Sequence, residues 1–310
     1  MRHHPGSCAS WIMVVLACAA STACGDGGSV FGPADDVGNY EGGFESDGVN
    51  RTYFVHTPPI WEPGTALPLV IALHGVPGNG KAMRAITGLD SFADQYGFVV
   101  AYPSAASTEW AVGCDCTVAD FKGINDVGFI RKVIEELESH LGIDRNRVFV
   151  AGYSQGALMA QNLACELPGW LAGAASVAAT MLGPVANRCS PGMPVRTLFI
   201  HGTDDTQFPA EGLIGQSVSS LSIGETLNTW SQINGCSGNP SMAVEPDTAD
   251  DGTTVERWTY PGCDPGGDLL FFSVQGGGHT WPGTPAPVSG LGRVSRDISA
   301  SEVISRFFLF

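Results

Sequence analysis

One serine in the sequence lies where it can act as a nucleophile. Ser154 is flanked by Gly152 and Gly156 in the pentapeptide Gly-Tyr-Ser-Gln-Gly, between an apolar run and a helix-like one. A serine at a sharp strand-to-helix turn has a strained backbone, and bulky neighbours would collide there. The turn lifts the hydroxyl above a sheet, while the helix N-terminus points N–H groups at developing negative charge. The pattern predicts Ser154 as an attacking hydroxyl.

A serine hydroxyl is nearly inert at neutral pH, so it needs a base, which a third group must orient. Two histidines follow Ser154 in the chain. His279 lies in the glycine-rich segment 276–283, and glycines there let a loop carry an imidazole to a sheet edge. His201 ends an apolar run and is more typical of a hydrogen-bonded core residue. We therefore predict His279 as the base.

The orienting acid is expected between the nucleophile and the base. Serine hydrolases with such a turn have the chain order Ser, then Asp or Glu, then His. Asp204 and Asp205 follow the apolar run 197–201 and offer adjacent carboxylates. One would face His279, while the other would cap the turn or meet solvent. Asp205 is the predicted acid, with Asp204 as the alternative.

Two backbone N–H groups are expected to bind the oxyanion of the tetrahedral intermediate. One belongs to Gln155, and the other to the loop after an earlier strand, here residues 73–80. Because Pro77 has no N–H and Gly75 belongs to the turn, Val76 is the predicted second donor. His74 is expected to hold this loop rather than to catalyse.

Short apolar runs alternate with amphipathic ones past residue 50. They predict strands at 52–56, 69–73, 98–102, 147–151 and 197–201. The clearest helix covers 127–141, behind Asn125 and Asp126 at the N-cap. Strands that alternate with helices indicate an α/β fold with a mostly parallel central sheet and helices on both faces.

Three regions are predicted along the chain. Residues 1–24 form a leader, and 25–50, rich in Gly, Asp and Ser, a flexible tether. No repeat or linker follows, so 51–310 are expected to form a single catalytic domain.

The leader predicts export. Its apolar run at 11–20 is shorter than the roughly 20 residues that span a bilayer, but it suits a signal peptide. Cys18 and Cys24 each end a segment that resembles a bacterial lipoprotein processing box, and cleavage after Ala23 by an ordinary signal peptidase is the alternative. We expect an extracellular or outer-surface protein that meets the membrane only through such a lipid anchor.

Composition and cysteine usage exclude other functions. The 310 residues carry 31 acidic and 15 basic groups, and the formal charge of −16 disfavours nucleic-acid binding. Nine cysteines less Cys8, Cys18 and Cys24 leave six, an even number that indicates disulfides with 15 connectivities. These six are Cys114, Cys116, Cys165, Cys189, Cys236 and Cys263. The last two bracket a loop-rich stretch that a disulfide would order. Cys114 and Cys116 look ligand-like but lack the second ligand pair of a zinc site, so we expect no metal and no cofactor.

Together these segments resemble the secreted polyhydroxybutyrate depolymerase and feruloyl esterase family of α/β-hydrolases. The matching stretches are 69–80, 110–116, 125–130, 152–156, 201–205 and 276–283. The resemblance implies the α/β-hydrolase fold and a triad of Ser154, Asp205 and His279. It favours Asp205 because the family's acid lies three residues after the glycine that corresponds to Gly202. Gln155 stands where relatives often have Asn.

The resemblance further implies an exported serine esterase that acts through an acyl-enzyme on feruloyl, acetyl or short hydroxyalkanoate esters derived from polysaccharide or polyester. Because no separate binding domain precedes Phe310, soluble esters or ester-decorated polysaccharide are favoured over solid polymer. Trp110, Trp281 and Phe208 are expected near the acyl pocket, with buried packing as the alternative for Trp110. The other functions to weigh are a serine exopeptidase of the same fold and a non-catalytic surface-binding lipoprotein.

Overall fold

The computed structural model describes residues 29–33, 38–213 and 219–310. The strands are β1 (Val30–Pro33), β2 (Asn39–Ser46), β3 (Val49–His56), β4 (Leu69–Leu73), β5 (Val99–Pro103), β6 (Val148–Tyr153), β7 (Gly173–Val177), β8 (Arg196–Gly202), β9 (Ser241–Val244), β10 (Thr254–Tyr260) and β11 (Leu269–Gln275). The helices are α1 (Gly80–Thr87), α2 (Leu89–Tyr96), α3 (Val118–Phe121), α4 (Asp126–Leu141), α5 (Gln155–Glu166), α6 (Gly183–Arg188), α7 (Ile223–Ile233) and α8 (Ala300–Leu309).

Within the described residues, all the strands belong to one sheet in the order β1-β2-β3-β5-β4-β6-β7-β8-β11-β10-β9. Six neighbouring strands pair in parallel, in the spatial order β5, β4, β6, β7, β8 and β11. Antiparallel strands flank them on both sides. The carboxyl ends of the parallel strands therefore meet at one edge of the sheet, which is where the elbow serine and the loops after β4, β8 and β11 lie.

Two cores cover the two faces of the sheet. Along β4, Leu69 and Ile71 pack into the core that contains α4, α5 and α7, while Val70 and Ala72 pack into the core with α1, α2 and α8. Successive residues of a strand point to opposite faces, so a strand buried on both sides must be apolar throughout. The expected α/β architecture with helices on both faces is confirmed.

The structure corrects the predicted flexible tether over the described part of residues 25–50, which is 29–33 and 38–50. Strand β2 pairs along its whole length with β3, from Asn39 opposite His56 to Ser46 opposite Val49. Its glycines indicate close packing rather than flexibility, because a Cβ on Gly42 would lie 2.1 Å from the ring of Tyr53. The ordered domain thus begins before residue 51, while the predicted leader, with Cys18 and Cys24, lies outside the described residues.

Three disulfides in the described part of the chain join Cys114 to Cys116, Cys165 to Cys189, and Cys236 to Cys263. The last is the pairing that the spacing suggested, and it joins the ends of the excursion that contains β9 and β10.

Cys114, Cys116 and Asp120 lie close enough together to hold a metal ion. The two sulfur atoms are bonded to each other, however, and the Asp120 carboxylate accepts N–H groups at the start of α3. None of the helices in the described part of the chain has the length and apolar character to cross a membrane.

Candidate active site

The predicted nucleophile stands at a tight turn between β6 and α5. Ser154 has a φ of 56° and a ψ of −122°, a conformation that costs a non-glycine residue about 1–3 kcal/mol. The turn requires its glycines, because a Cβ on Gly152 would lie 2.0 Å from the carbonyl oxygen of Gly156. A Cβ on Gly156 would lie 2.1 Å from the carbonyl oxygen of Leu73. The sequence therefore forms this turn only because both flanking positions lack side chains.

The structure brings Ser154, His279 and Asp205 together. The Ser154 Oγ lies 2.8 Å from His279 Nε2, and His279 Nδ1 lies 2.8 Å from Asp205 Oδ2. All three are buried, at 7%, 5% and 4% exposure. An ionised carboxylate only accepts hydrogen bonds, so Nδ1 carries the imidazole proton and donates it. That tautomer leaves Nε2 free to accept the serine proton.

The loop after β8 selects between the two aspartates. Asp205 Oδ1 accepts the backbone N–H groups of Gln207 and Phe208, each at 2.9 Å, which turns Oδ2 toward His279. The Asp204 side chain is 59% exposed and lies 3.7 Å from Arg293. Asp205 is therefore the residue that meets the histidine, and Asp204 the one that meets solvent.

The other histidine after the serine, His201, supports this loop. Its Nε2 donates to the carbonyl oxygen of Phe208 at 2.8 Å, and burial lowers the pKa of its imidazole. A neutral His201 thus holds the segment that carries Asp205, as expected of a core residue.

The loop between β4 and α1 runs beside the nucleophile. A Cβ on Gly75 would lie 3.0 Å from the Ser154 Cβ. His74 donates from Nδ1 to the Gly75 carbonyl oxygen at 2.8 Å and accepts the Ala105 N–H at Nε2, 3.0 Å away. This pattern needs a neutral ring, and burial lowers the pKa of His74 to about 4. His74 therefore shapes the loop, as predicted.

A cavity of about 400 Å³ opens at the serine. Among the residues that the structure describes, its lining is mainly apolar and carries no Asp, Glu, Lys or Arg side chain. The lining residues are His74, Gly75, Val76, Pro77, Gly78, Ala82, Ile86, Tyr153, Ser154, Gln207, Phe208, His279, Val288 and Leu291. Phe208 is thus placed as predicted, and its ring stacks 5.9 Å from that of His279.

Two predicted pocket aromatics, Trp110 and Trp281, lie outside this lining. Trp281 is buried behind the site and donates its indole N–H to Ser301 on α8 at 3.0 Å. Trp110 is fully buried and donates its indole N–H to the His74 carbonyl oxygen at 2.9 Å. Both rings fill the interior, which offers a large aromatic more burial than a cavity wall. The apolar residues that do line the cavity from α1 and from 284–292 belong to no chemical motif, so sequence reasoning missed them.

A serine, an aspartate and a histidine in this chain order and geometry, above a mostly parallel sheet, are typical of the α/β-hydrolases. A family model described as "Esterase PHB depolymerase" matches residues 52–197. A putative esterase, NocK, from Nocardia uniformis subsp. tsuyamanensis is 31% identical over 279 residues, which cover 84% of this chain and 80% of that protein. The chain belongs to the PHB depolymerase esterase family, as its sequence motifs suggested.

Two further comparisons agree with the family. Feruloyl esterase B from Piromyces equi is 28% identical over 240 residues, which cover 74% of this chain but only 42% of that protein. The solved structure of an acetyl xylan esterase from Aspergillus awamori matches with a TM-score of 0.56 and 18% identity, over 85% of this chain and 96% of that one. The structural match supports the fold class alone, and that class is the α/β-hydrolase fold.

Proposed function

We propose that this protein is an exported serine carboxylic-ester hydrolase with Ser154, His279 and Asp205 as its catalytic triad. The hydrogen bonds of 2.8 Å from serine to histidine and from histidine to aspartate carry the proposal. They join a nucleophile, a base and an orienting acid at the wall of a cavity.

The mechanism follows from the tautomer. Ser154 Oγ attacks the ester carbonyl carbon while its proton passes to His279 Nε2. The bond to the alcohol oxygen then breaks, and His279 returns the proton to the leaving alcohol. Water attacks the acyl-enzyme by the same route and releases the acid and the free serine. The backbone N–H groups of Val76 and Gln155 donate to the oxyanion. The Gln155 N–H is available because Gln155 is the first residue of α5, and the first N–H groups of a helix lack partners within the helix.

The cavity supports a neutral acyl group. Because no charged side chain of the described ranges lines it, an ionised acyl chain would lose its hydration there without a counter-charge. Feruloyl, acetyl and short hydroxyalkanoate groups all meet this condition, whether carried by soluble esters, polysaccharide or polyester fragments. The feruloyl and acetylxylan esterases among the relatives support the first two.

Export is supported by the three disulfides, which persist mainly in oxidising compartments. Lipidation at Cys18 or Cys24 remains part of the proposal. The hydrogen-bonded triad disfavours the non-catalytic lipoprotein, and the relatives named above are esterases rather than peptidases.

Replacing Ser154 with alanine tests the proposal. Hydrolysis of p-nitrophenyl acetate should fall by roughly 10⁴- to 10⁶-fold, and a fluorophosphonate probe should label the wild type but not the variant. Ser139→Ala, an exposed change on α4, should behave as the wild type. Full activity in Ser154→Ala would overturn the assignment. Rates of hydrolysis of methyl ferulate, acetylated xylan and hydroxybutyrate oligomers then rank the substrates. Detection of the protein in the extracellular fraction tests export, and lipid labelling tests the anchor.

A further inference from the structure

Trp110 bonds to two segments that border the nucleophile. Its indole N–H donates to the His74 carbonyl oxygen at 2.9 Å, and its backbone N–H donates to the Gln155 side-chain oxygen at 2.7 Å. His74 precedes Val76 by two residues on the loop after β4, and Gln155 directly follows Ser154. One buried residue thus bridges the two segments that would supply the oxyanion-binding N–H groups.

We propose that Trp110 is a positioning residue that fixes the spacing of these two N–H groups. The inference rests on the proposed function, because the spacing matters only if an oxyanion forms between them. Oxyanion donors act through preorganisation, and a small displacement of either one weakens its hydrogen bond to the transition state.

Further contacts hold the neighbours of Trp110 against the same loop. The Ala105 N–H donates to His74 Nε2 at 3.0 Å, and the Gly78 N–H donates to the Thr108 carbonyl oxygen at 3.4 Å. The His74 and Trp110 rings lie 4.8 Å apart. The segment that carries the tryptophan therefore follows the oxyanion loop closely.

A buried ion pair holds this segment from the other side. The Ala111 N–H donates to Asp126 Oδ2 at 2.7 Å, and the same carboxylate pairs with Arg51 from β3. Asp126 and Arg51 are almost fully buried, so neither exchanges freely with water. Trp110 is thus fixed to the body of the domain, which makes it a rigid reference for both segments.

The matched pair Trp110→Phe and Trp230→Phe separates positioning from core packing. Both tryptophans are fully buried and both donate an indole N–H, but Trp230 donates to Gln161, which lies about two turns along α5 from the nucleophile. We expect kcat for p-nitrophenyl acetate to fall about 10- to 100-fold in Trp110→Phe with KM nearly unchanged. Trp230→Phe should stay within about threefold of the wild type.

Affinity for a trifluoromethyl ketone that adds to Ser154 supplies the decisive readout. It should fall in Trp110→Phe by the same factor as kcat, because the adduct carries an oxyanion, while binding of a neutral alcohol product, which carries none, should not change. Gln155→Leu, whose side chain cannot accept the Trp110 backbone N–H, provides a second variant should Trp110→Phe fail to fold, and it should lose kcat in the same way. Equal kcat in Trp110→Phe and Trp230→Phe, or a loss confined to KM, would refute the inference. An inactive, unlabelled wild type would instead refute the proposed function.

Discussion

Replacing Asp205 with asparagine should reverse the tautomer of His279. Two backbone N–H groups hold Asp205 Oδ1 at 2.9 Å, so the asparagine carbonyl oxygen must take that position. Its amide NH₂ then occupies the place of Oδ2, 2.8 Å from His279 Nδ1. Because that group donates, Nδ1 must accept, and the imidazole proton moves to Nε2. The base then faces Ser154 with a proton and cannot take another.

The size of the effect follows from the cost of the productive tautomer. To recover it, the amide must flip and turn its NH₂ against both backbone N–H groups. Both bonds are only part-buried, so each one lost costs about 0.5–1.5 kcal/mol, and two cost about 1–3 kcal/mol. This corresponds to a decrease in kcat of about 5-fold to about 160-fold.

The assay compares Asp205→Asn with Asp204→Asn on p-nitrophenyl acetate. Asp204 differs by one position, but its side chain is 59% exposed and makes a long ion pair with Arg293 and a hydrogen bond of 3.4 Å from the Thr203 hydroxyl. Its variant should therefore stay close to wild-type kcat. Thermal unfolding should show that both variants fold. If Asp205→Asn kept more than a third of the wild-type kcat, or if both variants lost activity equally, the tautomer argument would be wrong.

Three other outcomes are expected. Gly156→Ala should abolish activity and lower the urea midpoint of unfolding, because its Cβ would lie 2.1 Å from a backbone oxygen of β4. The control Gly224→Ala on α7 should be tolerated, because its Cβ would meet nothing within 4 Å. Equal midpoints for the two variants would contradict this. Replacing Cys236 and Cys263 by serine removes a link that spans 27 residues. Guanidinium denaturation should show a loss of about 3–4 kcal/mol in the free energy of unfolding, and an unchanged value would count against the link. Burial lowers the pKa of His74 from 6.5 to about 4. Between these two pH values the unfolded chain binds more protons than the folded one, so the free energy of unfolding should fall as the pH drops through this range. His74→Gln should make this decline shallower, and an identical slope would refute the cause.

The grouping of Ser154, Asp205 and His279 and the positions of the inner strands could be predicted because their sequence signals are local. Strand β4 matches its predicted bounds, and β6 and β8 begin and end within two residues of theirs. Each is an apolar run buried on both faces, and each is followed by the loop that carries a polar group. Helix α4 likewise matches its predicted range within one residue, behind the Asn125 cap.

The rest depended on contacts that a sequence does not display. Strand β7 reads Gly-Ala-Ala-Ser-Val, small residues that α5 packs against, and this composition is not typical of a strand. Strand β2 contains Gly42 and Gly43 and resembles a loop, yet its glycines admit the ring of Tyr53. For Trp110, residue type left a place in the pocket wall and buried packing both open, and the packing of three separate segments determines that it is buried.

The order in which the triad enters the chain has a consequence for biosynthesis. The base lies just after β11, which pairs with β8, so every ribosome-bound intermediate that ends before β11 holds the serine and the aspartate without a proton acceptor. Such an intermediate cannot hydrolyse esters, even if its elbow has formed. In a refolding experiment, activity would therefore return only after β8 and β11 have paired.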